Sequence, residues 1–129
     1  MGDGTELGRV RGLGSAKHGA GHWITQRTTA LGNLTLALWL FFSLMLLPDF
    51  GQATLSGWLA QPIVAVPMIL LLISVFWHIR LGLQVFIEDY VHEPAPLAVA
   101  IVILNFYVVG AGAFGIFTIA KIAFAGTPA

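Results

Sequence analysis

His78, set inside an apolar run from Ile63 to Ile87, is the residue of this chain best placed to do chemistry. An ionisable side chain at membrane depth is costly to bury and marks a functional site by default. Twelve positions on, the same segment ends in Glu88-Asp89-Tyr90, a polar cluster where a helix would leave the lipid. A buried imidazole suits an axial ligand of a haem iron. A carboxylate beside a phenol at the rim suits a quinone, because the hydroxyl can donate to a quinone carbonyl and the carboxylate can relay a proton. Plainer readings stand beside both. His78 can be a neutral imidazole hydrogen-bonded across a helix bundle, and Asp89-Tyr90 can be a helix exit with its aromatic at the lipid–water boundary.

On a helix, His78, Gly82, Val85 and Asp89 share one stripe, since spacings of three, four, seven and eleven return to the same face. Ser74 and Leu71 continue it in the other direction. Gly82, one turn from His78, would let a flat macrocycle lie against the backbone. The rise from His78 to Tyr90 is about 18 Å, so with Tyr90 at the interface His78 lies well within the hydrocarbon. There each ring nitrogen needs a partner; iron can take one, a carbonyl or hydroxyl the other. Two histidines from different helices commonly hold haem b in a bundle. This chain has no second intramembrane His, because His18 and His22 precede the first span and His92 follows the second. A second axial ligand is therefore expected from another polypeptide. Arg80 lies about 200° around the helix from His78, on the side of Gln84 and Ile87. It can snorkel, pair with a partner's carboxylate, or meet a haem propionate.

The elements that carry these residues follow from composition. Of 129 residues 57% are apolar and 9% charged, against about 45–50% and about 25% in soluble domains. The mean hydropathy is +0.87. The chain therefore reads as a membrane protein. Its formal charge is zero, and no basic patch joins the aromatics, which argues against nucleic acid. It has no cysteine, which excludes disulfides, thiolate catalysis and Cys-ligated iron–sulfur or zinc centres. Residues 1–27 lack the apolar core of a signal peptide, and Asp3 and Glu6 break the acid-poor pattern of a transit peptide, so they read as a cytoplasmic tail.

Three stretches are long enough to span lipid as helices: 28–47, 62–87 and 97–120, with a tail at 121–129. None shows the period-2 alternation of a membrane barrel. The predicted fold is all-α, a three-helix transmembrane bundle. Arg9, Arg11, Lys17 and Arg27 precede the first span, the loop from Pro48 to Gln61 has no basic residue, and the C-terminal tail has Lys121. The positive-inside rule then puts the N-terminus in the cytoplasm or matrix and the C-terminus outside. Gly110, Gly112 and Gly115 give the third helix a smooth surface for close packing, and Asn105 suits an interhelical hydrogen bond.

The run His78-Ile79-Arg80-Leu81-Gly82-Leu83-Gln84-Val85-Phe86-Ile87-Glu88-Asp89-Tyr90-Val91 resembles the signature of the succinate dehydrogenase hydrophobic membrane anchor family, the small cytochrome b anchor of respiratory complex II. In that family a His is followed four positions on by Gly, then by a Gln-Val core, and at eleven and twelve by Asp-Tyr. Gly12-Leu13-Gly14-Ser15-Ala16, Gln26-Arg27-Thr28-Thr29-Ala30 and the three-helix layout are also similar. The resemblance implies that His78 is one axial ligand of haem b and that a partner, the large cytochrome b anchor, supplies the other. It implies that Tyr90 hydrogen-bonds ubiquinone with Asp89 beside it, and that Arg27 lies near the haem propionates; a positive-inside anchor is the other reading of Arg27. Flavin and iron–sulfur clusters would sit in a flavoprotein subunit and an iron–sulfur subunit, in a bacterial or mitochondrial inner membrane. A quinol:fumarate reductase anchor and a cofactor-free three-helix structural protein remain as alternatives.

Overall fold

The computed structural model describes residues 19–125. Arg9, Arg11, Lys17, His18 and the Gly12–Ala16 stretch lie outside the described residues. The described chain folds as α1 (Gly19–Met45), α2 (Gln52–Leu59), α3 (Pro62–Tyr90) and α4 (Pro94–Ala125). Three of these, α1, α3 and α4, are long and apolar enough to cross a membrane, and there is no strand among the described residues. The all-α architecture with three membrane-length helices is thus as the sequence predicts.

The boundaries follow from backbone chemistry rather than from hydropathy. Proline, whose missing N–H costs nothing in a first turn, opens α3 at Pro62 and α4 at Pro94. Pro67 sits inside α3 without ending it; only the bond to the carbonyl one turn earlier is lost. The membrane helices do not share the bounds of the apolar stretches read from sequence. Helix α1 begins at Gly19 rather than Thr28, and α3 continues through Glu88, Asp89 and Tyr90. A helix hydrogen-bonds internally in water as in lipid, so leaving the hydrocarbon does not end it.

The 48–61 connection, read as a loop, contains α2. Its entry is tied by Asp49, where the Thr54 side chain, and after it the Gly51 N–H, hold the carboxyl below the usual carboxylate range; the Gly51 contact is 2.7 Å. Trp58 of α2 stacks on Trp39 of α1, ring centroids 6.4 Å apart.

Helix α3 is the central member. It packs on α1 by one side and on α4 by another, while no Cα of α1 comes within 8 Å of one in α4 among the described residues. The three helices form a row. Among the described residues only Val64, Ala65, Leu81, Leu104, Val108 and Ile119 are buried, all on α3 and α4. Close approaches are made at glycines. A Cβ on Gly32 would lie 3.3 Å from Ser74 Oγ, and one on Gly115 would lie 2.7 Å from Leu72 Cδ2. Gly112 has ordinary clearance from Phe76, and Gly110 faces open space, so of the three glycines expected to pack, Gly115 carries the tight contact.

Candidate functional site

The face of α3 that carries His78 meets a polar stripe on α1 made of His22, Gln26, Thr29 and Asn33. Their spacings of four, three and four keep them on one side of the helix. His78 Nδ1 lies 3.0 Å from Thr29 Oγ1 and Nε2 lies 3.5 Å from Gln26 Nε2. One turn earlier on α3, Ser74 Oγ donates to the Thr29 carbonyl at 3.3 Å. Thr29 therefore receives two contacts from α3, one on its backbone and one on its side chain, and these set the helix register at the imidazole.

Two buried acceptors of this stripe, Gln26 Oε1 and Asn33 Oδ1, have no hydrogen-bond partner among the described residues. An orphaned acceptor at membrane depth is expensive and calls for a further group. Beside Gln26 opens a cavity of about 320 Å³ lined by His22, Trp23, Gln26, Leu81, Gly82 and Val85. Gly82 forms part of its wall, and a Cβ there would approach Gln26 Nε2 at 3.6 Å, an ordinary contact. Gly82 is thus placed where the stripe argument puts it, one turn from His78 and with room at its face.

His78 has donor or acceptor partners in Thr29 and Gln26. No group of three or more His, Cys, Asp or Glu that could hold a metal occurs among the described residues. What the site offers a metalloporphyrin is one imidazole, a glycine face and an unsatisfied polar rim. That donor set is compatible with an imidazole ligand to a haem iron.

The other candidates are dispersed. Arg27 is exposed, its guanidinium 5.5 Å from the Trp23 ring centroid, beside the cavity but not in contact with His78. Asp89 and Tyr90 are exposed at the end of α3. The Tyr90 ring packs at 4.6 Å on Phe86, one turn back, and Glu88 accepts from Gln84 at 2.9 Å. With about 18 Å of helix between them and His78, the rim pair and the imidazole are two separate places on one helix.

Arg80 faces α4. Its Nε donates to Asn105 Oδ1 at 2.6 Å, and its guanidinium lies 5.5 Å from the Trp77 ring centroid. It borders a separate apolar cavity of about 320 Å³ between α3 and α4, with Ile73, Phe76, Val108, Gly112 and Ile116. The interhelical role read for Asn105 is therefore filled by Arg80. Reading from the sequence singled out neither Thr29, Gln26 nor Asn33 as site residues; the signal that marks them is their polar spacing within α1.

Comparison with known proteins gives one consistent picture. Residues 1–113 match the family model described as succinate dehydrogenase/fumarate reductase transmembrane subunit. The chain is 34% identical over 86 residues to a succinate dehydrogenase hydrophobic membrane anchor subunit of Rickettsia bellii (strain RML369-C), covering 67% of this chain and 69% of that one. It is 29% identical over 87 residues to the protein of the same description in Rickettsia conorii (strain ATCC VR-613 / Malish 7), with the same coverage. No solved structure matches.

Proposed function

The chain belongs to the succinate dehydrogenase/fumarate reductase transmembrane subunit family, and on that premise we propose that it anchors a succinate:quinone oxidoreductase in the membrane while building half of a haem b site and part of a ubiquinone site. The observation that carries the reading is the surroundings of His78. One ring nitrogen is tied to Thr29 and the other meets Gln26 only at 3.5 Å; the Gln26 side chain in turn carries an acceptor with no partner among the described residues and borders a cavity walled by Gly82. A purely structural histidine would have both nitrogens well satisfied.

In this reading His78 would hold the haem iron through one imidazole nitrogen, and Gly82 would give the macrocycle a flat face to lie against. Arg27, exposed above Trp23, is free to turn toward a propionate. The large cytochrome b anchor supplies the second histidine. A haem held in this way provides a one-electron relay at membrane depth. Tyr90 donates its hydroxyl to a quinone carbonyl, and Asp89 passes a proton toward the reduced ring or orients a basic neighbour. Both are exposed in this chain, as they must be if the pocket is closed by the iron–sulfur subunit and the large anchor. Succinate is oxidised at the flavoprotein subunit, so this chain is a non-catalytic but necessary member of the complex. With the basic N-terminal segment inside, the rim of α3 lies on the cytoplasmic or matrix side of a bacterial or mitochondrial inner membrane. That is where a soluble electron donor meets a lipid-soluble acceptor.

The test is the absorption spectrum of the purified complex carrying His78→Ala. Loss of a reduced b-type haem band, with the complex still assembled, is the expected result. A wild-type complex that assembles without a b-type haem band would reject the haem reading and leave a structural anchor.

A further inference from the structure

We infer that Thr29 selects which nitrogen of His78 is offered to a metal: its hydroxyl accepts the Nδ1 proton and leaves Nε2 as the lone-pair nitrogen. This goes deeper into the haem reading above and rests on it. The argument is a proton count. A threonine hydroxyl has one hydrogen and two lone pairs. Thr29 Oγ1 lies 2.9 Å from the Thr25 carbonyl and 3.0 Å from the Gln26 carbonyl. Carbonyls only accept, so the single hydroxyl hydrogen goes to them. The remaining polar contact, His78 Nδ1 at 3.0 Å, must then bring its own hydrogen. A neutral imidazole with Nδ1 protonated carries its lone pair on Nε2.

The other neighbours agree. The group nearest Nε2 is the Gln26 amide nitrogen, a donor, and at 3.5 Å it holds that nitrogen only weakly. A weak, displaceable contact is what a ligating nitrogen can give up. Ser74, four residues from His78 on α3, donates to the Thr29 carbonyl at 3.3 Å, so the helix that carries the imidazole also holds the hydroxyl in register. Thr25, Thr28, Thr35 and Thr118 turn their hydroxyls back on their own helices in the same way; of these threonines only Thr29 also meets a ring nitrogen. Thr29 is thus a positioning residue. A ligating histidine that donates its other N–H to an oxygen is fixed in tautomer and made a stronger donor, and loss of such a partner typically costs about 10- to 100-fold in metal affinity. A stronger donor favours ferric iron, so removing the hydroxyl shifts the couple toward ferrous.

The experiment uses the whole assembled complex in lipid, labelled with 15N-histidine and read by solid-state NMR in the reduced, diamagnetic form, with His78 assigned by comparison with His78→Gln. It is paired with a redox titration of the b-type band in wild type, Thr29→Val and Thr29→Ser. The expected result is a protonated Nδ1 in wild type and Thr29→Ser. In Thr29→Val we expect a displacement of about tenfold toward ferrous, or 59 mV for one electron, and a potential close to wild type in Thr29→Ser. An unprotonated Nδ1 in wild type overturns the inference, as does a Thr29→Val complex with unchanged potential. If Thr29→Val fails to assemble, the wild-type nitrogen assignment decides. A complex without haem would defeat the reading of the preceding subsection, yet the Nδ1 measurement would still show whether Thr29 sets the tautomer.

Discussion

Gly82→Ala separates a haem-packing glycine from a helix-packing one, because the two roles call for effects of opposite sign. In the chain as it stands, the added Cβ meets nothing nearer than Gln26 Nε2 at 3.6 Å, so the α1–α3 contact accepts it without movement. Alanine in place of glycine within a helix gains about 0.5–1 kcal/mol. If Gly82 served only the fold, the variant would be neutral or slightly more stable. If a macrocycle lies against that position, the methyl group intrudes on it. Overfilling a packed site costs about 1–3 kcal/mol, which at 1.4 kcal/mol per tenfold is about a 5- to 150-fold weaker hold on the group. The assay is haem per assembled complex by pyridine haemochrome, alongside the thermal transition of the haem-depleted complex. The expected outcome is reduced haem with an unchanged or raised transition. Full haem occupancy with an unshifted band would remove Gly82 from the site, and a collapse of assembly would show that the glycine serves packing against a partner instead.

Tyr90→Phe deletes one neutral hydrogen bond to the quinone, worth about 0.5–1.5 kcal/mol; quinone reduction is expected to slow by about two- to tenfold, while succinate oxidation by an artificial dye stays intact, and equal losses in both assays would reject the role. Asn105→Leu removes the acceptor of Arg80 Nε. Interhelical hydrogen bonds in membranes average about 0.6 kcal/mol with a maximum of about 1.7, so the complex should lose an amount in that range on titration with SDS, and an unchanged midpoint would show the pair to be idle. Gly115→Ala pushes a methyl to 2.7 Å from the end of the Leu72 side chain, whereas Gly110→Ala meets nothing within 4 Å. The first should destabilise the α3–α4 contact by about 1 kcal/mol and the second should be silent; equal effects would contradict the packing described.

Much of this was legible in the sequence, for reasons that also explain what was missed. Hydropathy reports lipid contact, and so it found three spans; it does not report helix continuity, and so it placed the start of α1 at Thr28 rather than Gly19. That shift mattered, because it left His22 outside the helix and hid the stripe it shares with Gln26, Thr29 and Asn33. Helical periodicity placed Gly82 beside His78 correctly, since both lie on one helix. It cannot say which residue of another helix stands opposite. Thr29 looks in sequence like Thr28, and only the cross-helix register brings one to the imidazole and leaves the other exposed at its own helix. Asp89 and Tyr90 stand out by residue type and are exposed at the end of α3; on the proposed reading their polar partners belong to other chains.

The row-like arrangement of the helices gives the last step. His78 and Arg80 are two positions apart, and two residues of helix turn the chain by about 200°, so they face opposite flanks of α3. The structure follows that geometry: α1 takes the imidazole, α4 takes the guanidinium, and no Cα of α1 comes within 8 Å of one in α4 among the described residues. A closed three-helix bundle would have wrapped His78 between two helices and tied both of its nitrogens. A row leaves the seam between α1 and α3 walled on two sides only, with Gln26 Oε1 unsatisfied within it. On the proposed reading, the surface that closes that seam comes from a partner chain. On the proposed reading, another polypeptide would complete the surroundings of this half-buried imidazole, and the same central helix would carry the exposed Tyr90 to where other members of the complex can reach it.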